Sequence, residues 1–200
     1  CSSDLAMGML QSLFNNEPDP SLLVFNTLNW TRSGIATVYI DHQIVPRGKT
    51  AAVYDGSGKR LATQPLSHRS DGTYWAVWVE GIPPFGFKKL LVRQEDYEIP
   101  APPGNPETME NKWYRIKTDL IKGTIKSIYD KELGVELIDG KADYGLGEFI
   151  LEQLGNRFQM ENRMLNDFTR KSLDTVWFDS ASGGEIWNTL KFFGESETAI

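Results

Sequence analysis

Two neighbouring stretches constrain the fold of this chain more than any other part of it. They are Glu110-Asn111-Lys112-Trp113-Tyr114-Arg115-Ile116-Lys117 and Gly123-Thr124-Ile125-Lys126-Ser127-Ile128-Tyr129-Asp130-Lys131-Glu132-Leu133-Gly134. Tyr114 and Ile116 alternate with Arg115 and Lys117, the period of a half-buried strand. Lys122-Gly123 turns the chain into a second apolar run, and 130–134 turns it again towards 135–138. Strands this close, joined by turns with no room for a crossover helix, must pair antiparallel.

The same reading extends along the chain. Residues 22–25, 35–40, 51–54, 60–64, 74–79 and 87–92 read as strands, separated by Asp55-Gly56-Ser57-Gly58, Asp71-Gly72 and Pro83-Pro84. Residues 4–15 read as a short helix, with Leu5, Met9 and Leu13 on one stripe and Asn15-Asn16 and Pro18 ending it. Pro100, Pro102, Pro103 and Pro106 mark an extended connector. Beyond it, 144–151, 175–178 and 185–193 read as strands, and 152–173 as a polar loop with a short helical piece. The expected fold class is all-β: a small antiparallel β-sandwich, then the beginning of a larger β-sandwich, with a short N-terminal helix. The expected segments are 1–19, 20–98, a linker at 99–106, and 107–200.

Composition narrows the partners. Of 200 residues, 40% are hydrophobic and 12% aromatic, enough for a core and weighted towards strands. The net charge of −6 argues against nucleic acid and anionic membrane surfaces, which select basic patches. No apolar run approaches the ~20 residues of a membrane-spanning helix. A single cysteine excludes an internal disulfide. Cys1 followed by Ser2, Ser3 and Asp4 also fits the mature end of a lipoprotein, but a helix-like segment follows where a tether would be expected. The absence of an initiating Met, and an end just after a strand-like run, read as a piece of a longer protein.

Residues for chemistry are sparse. Cys1, His42 and His68 lie far apart, with no His-x-Asp, His-x-x-x-His or Cys-x-x-Cys, so no metal ligands are assigned and the histidines read as loop or turn residues. No Gly-x-Ser-x-Gly elbow occurs, and no catalytic residue is assigned. The 27 acids include glycosidase-like carboxylates in number, but sequence does not pair them across strands, and Asp130, Glu132 and Asp139 fit turns. Gly56-Ser57-Gly58-Lys59 lies between strands and reads as a hairpin, not a phosphate loop. Each of the six tryptophans reads first as core packing. The favoured contact site is Asn156 and Arg157 with Trp177, which combines amide and guanidinium donors with a ring in irregular segments.

Three motifs in order carry a resemblance. Phe25-Asn26-Thr27-Leu28-Asn29-Trp30, Ile82-Pro83-Pro84-Phe85-Gly86-Phe87 and the 110–134 stretch resemble the β-sandwich region of glycoside hydrolase family 38, the α-mannosidases. Thr27 and Asn29 depart from the family's Phe-Asn-Pro-Leu-Ser-Trp. The resemblance implies a large retaining enzyme with a zinc-bearing α/β-barrel, then a three-helix bundle, then β-sandwiches. Residues 1–19 would end the bundle. Zinc is implied for that parent enzyme, with no cofactor on this chain, because the family's metal-binding motifs have no counterpart here. The implied partners are the catalytic barrel and helical bundle, with glycan contact at the sandwich rim. Alternatives are a stand-alone carbohydrate-binding module and a protein-interaction sandwich, whose exposed sheet edges would allow self-association.

Overall fold

The computed structural model describes residues 19–96, 101, 104–162 and 167–197. The helix expected at 4–15 lies outside these residues, as do 99, 100, 102 and 103 of the Pro-rich connector. The fold is all-β and antiparallel. The chain forms two compact units: Cys1–Pro100 with Gly184–Trp187, and Ala101–Gly183 with Asn188–Ile200.

The first unit is built from two sheets. One contains β1 (Ser21–Phe25), β3 (Lys49–Tyr54), β4 (Arg60–Leu61) and β7 (Phe87–Asp96), in the order β1-β7-β3-β4. The other contains β2 (Arg32–Asp41), β5 (Thr63–His68) and β6 (Gly72–Ile82), in the order β2-β6-β5. Alternate residues of both sheets supply one core: Val53 and Leu90 from the first and Val77 and Val79 from the second are fully buried. Ile40, Val45, Ala51, Trp75 and Val92 form an adjoining cluster. Burial of side chains this size stabilises by roughly 1.5–3 kcal/mol each. Period-2 alternation also separates the two tryptophans of β6. Trp75 is buried, whereas Trp78 faces outward and donates its indole N–H to Glu80. Pro65 sits on the edge strand β5 at a register irregularity, where a missing N–H costs least.

The turns follow from local chemistry. Asp55 Oδ1 accepts the amides of Ser57 and Lys59 and closes the β3–β4 hairpin, so the Gly56-Ser57-Gly58 run is a hairpin turn. Gly72 faces the ring of Tyr39 across the β2–β6 ladder, where an added Cβ would collide with it.

The second unit begins with a sheet of β8 (Thr108–Glu110), β9 (Tyr114–Asp119), β10 (Thr124–Asp130) and β11 (Val135–Glu136), in the order β11-β10-β9-β8. Two hairpins follow: β12 (Ile150–Leu154) with β13 (Phe168–Ser172), and β14 (Thr175–Ser182) with β15 (Thr189–Glu195). The helix α1 (Arg157–Glu161) lies between β12 and β13. Every fully buried hydrophobic side chain among the described residues belongs to the first unit. In the second, Trp113, Leu133, Phe149 and Trp177 remain at least two-fifths exposed.

Three sequence expectations are corrected. The polar stretch 152–173 carries strands at both ends, because cross-strand pairing supplies what apolar alternation does not. Glu152 and Arg170 face each other in register and form an ion pair, and Arg170 also lies over the rings of Tyr144 and Phe168. The run 185–193 is not one strand: Gly184–Trp187 leaves the β ladder and joins the first unit. The tryptophans are not uniformly core. Only Trp75 is buried: Trp30 lies on a loop and is 58% exposed, Trp78 is on the outer face of its sheet, and Trp113 and Trp177 stay exposed in the second unit.

Candidate functional site

The three residues proposed for glycan contact each have a structural task. Asn156 is the N-cap of α1, where its side-chain oxygen accepts the Gln159 amide at 3.2 Å. Arg157 points into solvent and pairs with Glu161 one helical turn on, at 3.5 Å. Trp177 lies on β14 opposite Phe193, with ring centroids 6.0 Å apart. Among the described residues no hydrogen bond, ion pair or ring contact joins Trp177 to Asn156 or Arg157.

The residues of the three motifs have connected roles. Asn26 is buried, and its amide nitrogen reaches the carbonyls of Trp30 (2.7 Å), Ile82 (3.2 Å) and Pro83 (3.1 Å). Its side-chain oxygen accepts the Leu28 amide, and its own backbone N–H donates to Gly86. One asparagine therefore fastens the first motif to the second. Phe85, 74% exposed, holds a left-handed φ of 46° beside this knot. Phe25 and Phe87 stack nearby at 5.5 Å, so this end of the unit displays aromatic surface.

The third motif is fastened in the same way. Asn111 Oδ1 accepts the amides of Trp113 and Tyr114, and Asp130 Oδ1 accepts those of Glu132 and Leu133. Lys131 donates to the Asn111 carbonyl and pairs with Glu110, while its backbone N–H reaches the Trp113 carbonyl. These polar residues are spent on turns and strand ends.

A cleft of about 670 Å³ in the second unit combines Ile121, Phe149, Val176 and Phe192 with Lys122, Glu148 and Asp174. Its carboxylates are poor proton donors. Glu148 accepts the Ser172 hydroxyl and the Gly145 amide, which with nearby Lys122 hold its pKa below the ordinary glutamate value. Asp174 is held low by Lys171 and by the Glu197 amide. The same direction holds at Glu95, lowered chiefly by the Tyr54 hydroxyl, and at Asp119, Glu110 and Glu136. Glycoside cleavage needs one carboxyl raised enough to stay protonated.

Both histidines of the chain meet at one threonine, an arrangement hidden from the sequence. Thr73 Oγ1, buried on β6, lies 3.3 Å from His42 Nε2 and 3.1 Å from His68 Nδ1. The register explains it: β2 ends opposite Gly72, and His68 of β5 stands opposite Thr73. Alternation along β5 and β6 was the available signal for His68, but it required knowing which strands neighbour, and His42 lies in the turn just beyond β2. Among the described residues no group of three His, Cys, Asp or Glu side chains is placed to hold a metal ion. The zinc implied by the resemblance does not fit the histidine pair, which Arg47, Lys49 and Arg69 surround.

The sequence matches no protein-family profile and no curated protein.

Proposed function

We propose that this chain is a non-catalytic β-sandwich portion of a zinc-dependent, retaining α-mannosidase-like glycoside hydrolase. It supports a catalytic domain and contacts glycan at its rim. The observation that carries this reading is the use of the motif residues. Asn26, Asn111, Asp130 and Lys131 serve as locks between strands and turns, the role expected of a scaffold segment. Two further features support it. The displaced carboxylates of the cleft and the motif stretch are displaced downward, away from acid catalysis. The second unit leaves large apolar side chains uncovered, as the opening strands of a larger sandwich would. Zinc in this reading sits on the catalytic barrel and on none of the described residues.

Incubating the chain with an aryl α-mannoside and zinc tests the non-catalytic role. No release of the aryl alcohol is expected, and turnover that tracks the purified chain would sink the reading. The exposed aromatic end favours direct glycan contact. Trp30 and Phe85 stand outward beside the Asn26 knot, and rings of this kind stack on sugar faces. Mannose oligosaccharides should quench tryptophan fluorescence saturably, and W30A should remove the response. An unchanged response in W30A would place any binding elsewhere.

A further inference from the structure

We propose that the cavity around the two histidines binds a tetrahedral oxyanion, a sulfate or phosphate group. The cavity is about 330 Å³ and lies wholly in the first unit. That is the small end of ligand sites, suited to a single group and its immediate attachment. His42, Arg47, Lys49, His68 and Arg69 line it, and among the described residues no carboxylate does. This is a local inversion of sign in a chain of net charge −6.

The basic groups are held in place, yet retain donors. Arg47 gives one N–H to the Ser70 carbonyl at 2.8 Å, which leaves most of its guanidinium free. Arg69 rests over the Tyr74 ring at 5.3 Å from its centroid, a contact that uses its face and not its N–H edge. Each imidazole gives one nitrogen to Thr73 and keeps the other for a ligand. Preorganised donors of this kind, Arg above all, recognise sulfate and phosphate.

The surrounding charges are mixed. Asp41 ends β2, Arg47 stands on the β2–β3 connection and Lys49 begins β3; Arg69 and Asp71 stand on the β5–β6 turn, and Asp96 ends β7. Lys49 pairs with Asp96 at 2.6 Å. Asp71 accepts the Tyr39 hydroxyl, and Asp41 Oδ1 accepts the Gln43 amide. Asp96 thus offsets Lys49, and Asp71 lies close enough to act on Arg69 and His42, which leaves Arg47 as the lining cation with no carboxylate partner among the described residues.

The experiment is NMR titration of the full chain with sodium sulfate, reading the two histidine Hε1 resonances. With only two histidines, both signals report on this cavity. Both should shift saturably with sulfate. Sodium chloride at matched ionic strength should not reproduce the shift. R69A and R47A should each weaken binding about fivefold or more. R47A and R69A should keep the wild-type dispersion of backbone amide resonances, so a loss by misfolding is distinguishable. Inorganic phosphate and a sugar phosphate form a second arm. Tighter binding of the sugar ester assigns the site to an anion carried on a sugar, and equal binding assigns it to the free ion; either ranking supports the site. Non-saturable shifts, equal shifts with chloride, or full binding in R47A/R69A would overturn it. The site depends only on the first unit, so its failure would leave the scaffold reading standing.

Discussion

Asn26 shows what a single polar residue does in this fold. Its amide serves backbone groups of two segments distant in sequence, and it does so from a buried position. Leaving those carbonyls unpaired costs about 1–3 kcal/mol for each group that water does not reach. N26A should therefore lower stability by roughly 2–4 kcal/mol in urea denaturation, and N26D should do comparable harm, since a carboxylate offers no donor. A loss under about 1 kcal/mol would contradict the role given to the knot. Trp75 presents the opposite case, because its indole N–H is buried with no partner. W75F gives up ring area but removes that orphan donor, so its cost should stay below the ~3–5 kcal/mol of a Trp-to-Ala change. Titration acts at the same scale. Glu95 is held low first by the Tyr54 hydroxyl and then by Arg60. A carboxylate whose pKa is depressed on folding stabilises the fold above its unfolded value of ~4.3, and that contribution is lost as pH falls through the folded value. Acid unfolding should thus set in below about pH 4, and E95Q should blunt it; the same midpoint in both proteins would contradict this. The turn roles of Asp130 and Asp139 were legible from sequence. The Asn26 knot was not, because its partners are backbone carbonyls with no sequence signature.

Elements were legible where local chemistry sufficed. The β3–β4 and β5–β6 hairpins and the β9–β10 pair form where alternation and turn residues place strands and turns. The β9–β10 turn also needs its glycine. Gly123 holds a φ of +65°, and a Cβ there would meet the Val176 side chain at 2.9 Å. G123A should cost about 1–2 kcal/mol, measured as a lowered thermal midpoint, and a neutral G123A would show that the turn relaxes freely. Where strands are held by charge, periodicity fails. The β12–β13 hairpin rests on Glu152, Arg170 and rings under the guanidinium, so its sequence reads as a polar loop. The segment Gly184–Trp187 is also illegible, because its partners lie far back in the chain. Glu185 accepts Arg60 and the Thr63 amide, and Gln64 accepts the amides of Ile186 and Trp187.

At the scale of the whole molecule, burial is unequal. The first unit closes a hydrophobic core between two sheets, and the second leaves its aromatic and aliphatic side chains largely exposed among the described residues. Backbone amides of β3, β6 and β7 should therefore exchange with solvent far more slowly than those of β12 to β15, the order expected when local opening follows buried apolar contact. Equal protection across both units would contradict that inequality. The same inequality bears on function. The proposed support role beside a catalytic domain expects such a unit, with exposed apolar side chains and motif residues used as structural locks. The most direct test is to read the coding sequence that precedes Cys1. The account predicts a barrel-length region carrying a His-x-Asp pattern and a later His-Asp pair, the ligands of a zinc centre. A start codon immediately before Cys1, or an unrelated domain in that place, would contradict it.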